Sequence, residues 1–129
     1  MGKRILFWGL CSGLAAALAS FVWDRVYFFA MMTDFSSIIN IGSILGASLF
    51  GTMLAAGCFA LINRFMPKGR DITFNLLLSI FTIASLMGPL SISLPLEIDF
   101  PEMFPALALP MHFFPAMALF TLRPLFIKN

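Results

Sequence analysis

Charged side chains are scarce in this sequence, with eight Lys+Arg and six Asp+Glu among 129 residues. A soluble domain is about a quarter charged, so a share of 11% excludes a chain that faces water on all sides. The basic residues flank apolar segments instead of clustering, and a net charge of +2 supplies no groove-lining footprint for nucleic acid. Cysteine is nearly absent. Cys11 and Cys58 match neither a C-x-x-C redox pair nor a zinc pattern, and each lies in an apolar run where cysteine acts as a small hydrophobe. Histidine occurs once, at His112. One imidazole excludes an H-E-x-x-H zinc helix and cannot give a b-type haem both axial ligands within one chain, although two copies could give one each. No nucleophile motif is present either. The expectation is a noncatalytic chain with no cofactor and no metal.

What the sequence has in abundance is apolar surface: 60% hydrophobic residues, sixteen Phe and nine Met, with a mean hydropathy of +0.99. Crossing about 30 Å of hydrocarbon takes roughly 20 helical residues, and the backbone there must bond to itself. Four runs are long enough, at about 5–32, 38–65, 72–94 and 105–127. Short connections between them favour antiparallel neighbours. The expected fold is all-α: a single polytopic membrane domain over 1–129, built as a four-helix up-and-down bundle whose first partner is the lipid bilayer.

Lys and Arg collect on the cytoplasmic flanks of membrane spans. Lys3, Arg4, Arg64, Lys68, Arg70, Arg123 and Lys128 all fall on one side of this topology, with Asp71 the one acid among them. Arg25 alone falls on the other, with Asp24, Asp34, Glu97, Asp99 and Glu102. Both termini are therefore expected in the cytoplasm, and in a bacterium the chain would sit in the inner membrane. Lys3-Arg4, the apolar stretch after them and Ala17-Leu18-Ala19 outline a secretory signal. The apolar character runs on to Met32, longer than a signal requires, so an uncleaved first helix is expected.

Helices associate in lipid through close backbone approach and polar contacts, which makes small residues markers of packing faces. At 100° per residue, Gly9, Gly13, Ala16, Ser20 and Asp24 share a face of the first helix, and neighbouring Arg25 is expected to point away towards the headgroups. The second helix carries two stripes, one through Gly42, Gly46 and Gly57 and one through Ser43, Ala47, Gly51 and Ala55, as if sandwiched between two neighbours. The third carries a polar stripe of Asn75, Ser79, Thr82, Ser85, Pro89 and Ser93. Its Gly88-Pro89 pair should kink or end it, because proline removes a donor and crowds the carbonyl of Ser85. Pro110 and Pro115 in the fourth run should make its outer half irregular and free the carbonyls of Ala106 and Met111.

By helical rise, Asp24, Pro89 and His112 reach a similar depth, within about 10 Å of the outer hydrocarbon edge. Ionisable groups inside a membrane are often functional, so Asp24, Ser85, Pro89, Ser91 and His112 form the candidate polar site. An imidazole titrates near neutral pH, which would suit proton-coupled binding. The structural alternatives are that His112 donates to a proline-freed carbonyl and that Asp24 serves helix packing. Glu97, Asp99 and Glu102 match no calcium loop. They alternate with Leu96, Ile98, Phe100, Met103 and Phe104, as in a connection lying on the membrane surface.

The segment Ser85-Leu86-Met87-Gly88-Pro89, the pair Met111-His112 and the glycine-rich stretch from Gly42 to Gly57 resemble a bacterial family of small four-span membrane proteins known as a domain of unknown function. The resemblance implies a four-helix membrane fold and supplies no activity, and the density of prolines in the fourth span departs from it. Two functional classes follow. The leading one is a noncatalytic packing or accessory subunit, as a homo-oligomer or within a larger membrane complex. The other is a small oligomeric transporter or channel with its pathway at His112 and Asp24. An intramembrane enzyme using His112 with Ser85 or Ser91 would need a serine oxygen within hydrogen-bond reach of the ring.

Overall fold

In the computed structural model the described residues are 2–32, 39–91 and 104–128. Every regular element among them is an α-helix: α1 (Gly2–Met31), α2 (Ile41–Phe65), α3 (Arg70–Ser85), α4 (Met87–Ser91) and α5 (Phe104–Phe126). With α3 and α4 taken together, four stretches are long and apolar enough to cross a membrane. The acids Asp34, Glu97, Asp99 and Glu102, the surface-lying connection they were read from, and Ser93 lie outside the described residues.

Local chemistry sets the ends of these helices. Met32 follows α1 with a left-handed φ of 54°, and its N–H reaches the carbonyl of Phe28. Asn40 caps α2 through a reciprocal pair of 2.9 Å bonds, Ser43 N–H to Asn40 Oδ1 and Asn40 N–H to Ser43 Oγ, which satisfies two donors that the first turn would leave bare. Pro67 lies just beyond α2, and Gly69 starts α3 at φ 84°, a conformation that suits glycine. As the Gly88-Pro89 pair predicts, the third span breaks: α3 stops at Ser85 and the short α4 resumes one residue later.

The helices alternate in direction. Gly9 of α1 lies against Ala56 of α2 and Gly13 against Thr52, while Trp8 and Trp23 donate their indole N–H groups to the carbonyls of Leu119 and Leu107 on α5, each at 3.0 Å. Thus α1 sits between α2 and α5 and runs antiparallel to both. Both ends of the chain lie at the same end of the bundle as the α2–α3 turn. At that end Trp8, Phe59 and Phe74 form an aromatic trio with ring centroids 5.1 to 5.6 Å apart, and α3 buries no other residue than Phe74.

Two expectations are corrected here. The face of α2 that packs on α1 is neither of the two small-residue stripes but Ile44, Ser48, Thr52, Ala56 and Phe59. The close approach is supplied from the α1 side by Gly9 and Gly13, and Thr52 can be buried because its hydroxyl bonds back to the Ser48 carbonyl at 2.9 Å. The outer half of α5 is also not irregular: one helix runs through Pro110, Pro115 and Pro124. Leu107, Ala108, Ala116 and Leu119 are buried against its neighbours, and prolines are tolerated in helices supported in this way.

Candidate functional site

Because α3 leans on the rest of the molecule chiefly through Phe74, α2, α3 and α5 enclose a cleft of about 750 Å³. Its back wall is the buried side of α5, from Ala108 to Leu119, and its floor is formed by Ile62, Phe74 and Leu78 above the aromatic trio. Leu54 and Cys58 of α2 and Leu77 and Phe81 of α3 line it yet remain exposed. They are its lips, and the cleft opens sideways between those two helices. Pro89, buried, and Gly88 line the opposite end.

The polar group that α3 and α5 bring together here is a pair. His112 Nδ1 lies 3.1 Å from Ser85 Oγ, and Ser85 Oγ lies 2.6 Å from the carbonyl of Thr82. A carbonyl only accepts, and a serine has one O–H, so that hydrogen goes to Thr82. In the contact with His112 the serine oxygen therefore accepts and the ring Nδ1 carries the hydrogen. His112 does not reach a carbonyl freed by proline; the indoles of α1 bond to Leu107 and Leu119, not to Ala106 or Met111. The separation of the pair meets the distance that an enzyme using His112 with Ser85 would need, with the serine hydrogen directed to Thr82 and not to the ring.

The other members of the expected site are elsewhere. Asp24 is buried but belongs to Arg25, whose Nε and Nη2 approach Asp24 Oδ2 at 3.1 and 2.6 Å. This corrects the expectation that Arg25 points away: its long stem folds back, and the guanidinium rests 5.7 Å from the ring centres of both Phe21 and Phe28. In apolar surroundings a charged pair with aromatic faces beside it outweighs the helical separation of neighbours. Ser91 is exposed and donates to the carbonyl of Gly88 at 3.0 Å, outside the cleft. Of the five candidate residues, Ser85, Pro89 and His112 meet in one place. Among the described residues no three His, Cys, Asp or Glu side chains gather as a metal site would require.

The packing glycines divide in the same way. A Cβ on Gly13 would lie 2.6 Å from Thr52 Oγ1 and 3.1 Å from the Cα of Leu49, and one on Gly9 would lie 2.9 Å from Ala56 Cβ. At Gly46 and Gly57 a Cβ meets nothing within 4 Å, and at Gly42 only Asn40 Oδ1 of the local cap. These three form a bare face of α2, roughly 120° from both the α1-packing face and the cleft face at 100° per residue.

One cluster was not read from the sequence. Arg123 of α5 forms an ion pair with Asp71 of α3 and donates to Asn75 Oδ1 at 2.9 Å, while its guanidinium lies 5.1 Å from the Phe59 ring centre. Arg70 approaches the same Asp71 at 3.3 Å and bonds Asn63 of α2 at 2.7 Å. These basic residues were read as topological markers; the signal available was Asp71, the lone acid on the basic side. Together they clasp α2, α3 and α5 beneath the cleft floor. No family model, curated protein or solved structure matches this chain, so what it does has to be read from its own side chains.

Proposed function

We propose that the chain is a noncatalytic accessory protein of a bacterial inner membrane, with both termini cytoplasmic, that associates with another membrane helix, in a second copy or in a larger complex. The bare face of Gly42, Gly46 and Gly57 carries this reading. Small residues let helix backbones approach closely in lipid, and this chain uses Gly9 and Gly13 for that purpose internally while leaving the α2 line unused. The small-residue spacing is that of helix pairing, and the seven basic residues at one end support the orientation. Gly46→Leu should abolish association, measured by energy transfer between labelled copies in vesicles and by copurification in mild detergent; unchanged association of the folded variant would remove the reading.

The closed basic end and the cleft above it favour a second reading, a small oligomeric transporter or channel with His112 in its pathway. In that case His112→Ala changes solute uptake into vesicles while the protein stays folded. Unchanged uptake would discard it.

A further inference from the structure

His112 gives the cleft a ring nitrogen that its contact with Ser85 leaves as an acceptor. Since Nδ1 of His112 carries the ring hydrogen towards Ser85, Nε2 presents a lone pair, and no described residue donates to it. The Ser43 hydroxyl is committed to the Asn40 cap, and the remaining polar wall groups, among them Ser20, Ser48 and Thr82, are hydroxyls that can donate or accept and so do not select. Everything towards the floor is apolar. About 16 Å of α3 separates Phe74 at the floor from Ser85, at 1.5 Å per residue. An extended chain advances about 1.2 Å per bond, so a dozen or so carbons fill that depth. A volume of about 750 Å³ is that of a small-molecule site, and the sideways opening gives onto the apolar phase in which such a molecule dissolves.

We propose that this cleft binds a membrane-dissolved apolar molecule bearing a hydroxyl, with the hydroxyl donated to Nε2 of His112 and the hydrocarbon tail directed down to Phe74. The site is separate from the glycine face and is present whether the chain works singly or in an assembly. It discriminates against hydrocarbons, which leave the ring nitrogen without a donor, and against esters, which bring only acceptors.

The tail end can be located by fluorescence, because Trp8 packs against Phe74 with ring centres 5.6 Å apart and the chain has only two tryptophans. The full-length Trp23→Phe protein in phosphatidylcholine vesicles is titrated with 12-bromododecan-1-ol, 1-bromododecane and methyl 12-bromododecanoate, with bromine quenching of Trp8 as the readout. The alcohol should quench saturably and at roughly tenfold lower concentration than either comparison probe. His112→Phe should bring the three probes together, and His112→Gln, whose amide oxygen still accepts, should keep part of the preference. Equal quenching by all three, a preference that survives His112→Phe, or quenching that rises linearly as simple partitioning would each overturn the proposal.

Discussion

Side chains with no room and side chains with no partner respond in opposite ways to the same kind of change. At Gly13 an added methyl collides with Thr52 and with the Leu49 backbone, so Gly13→Ala should cost about 1–3 kcal/mol; at Gly57 the space is open, and Gly57→Ala should gain up to about 1 kcal/mol from helix propensity. Thermal unfolding of the dispersed protein in detergent compares the two, and equal responses would place the α1–α2 contact elsewhere. Ser12 is the converse case. Its hydroxyl is fully buried and no group bonds to it, which leaves a polar atom desolvated without return. Ser12→Ala should therefore raise stability by about 1 kcal/mol, and a lower melting temperature would show that the hydroxyl has a partner. At this scale the first helix was legible, because one glycine-lined face is a strong signal. The pairing of Asp24 with Arg25 was not, since it depends on a flexible stem choosing its neighbour over the headgroups.

Between helices, hydrogen bonds and grooves decide which contacts persist. Two indoles on α1, fifteen positions apart in the chain, bond to carbonyls on α5, and phenylalanine at either position would leave a carbonyl buried and keep most of the ring contact. Trp8→Phe, inside the aromatic trio, should lower stability by about 1–2 kcal/mol, with Trp23→Phe costing somewhat less at its half-buried site; chemical unfolding in mixed micelles reads the difference. The helices and their breaks followed from hydropathy and from Gly88-Pro89. The choice of packing face on α2 did not, because three arcs of that helix are all rich in small residues and only the shape of its neighbour selects one. The continuity of α5 through its prolines was equally hidden: proline chemistry describes the isolated helix, and the support comes from α1.

Taken whole, the molecule holds α3 by a clasp at one end and by the single Ser85–His112 contact towards the other. The clasp of Arg123, Asp71, Arg70 and Asn63 draws α2, α3 and α5 together over Trp8, Phe59 and Phe74, while beyond Phe74 the cleft lies between α3 and its neighbours until Ser85 meets His112. Asp71→Asn leaves Arg123, 13% exposed at its side chain, without its carboxylate and should lower stability by about 1–2 kcal/mol, more than an exposed pair would. Loss of less than a few tenths in a thermal melt would mean that the aromatic trio closes this end unaided. Hydropathy conveyed the four long apolar helices, but the use of Arg70 and Arg123 inside the protein carried no pattern of its own. The position of α1 has a consequence for biosynthesis. α1 is the hub and precedes α5 in the chain, so during synthesis its two indole donors are made 111 and 84 positions before the carbonyls that accept from them. Without α5 both donors lose these acceptors, so the packing of α1 is complete only once α5 has docked.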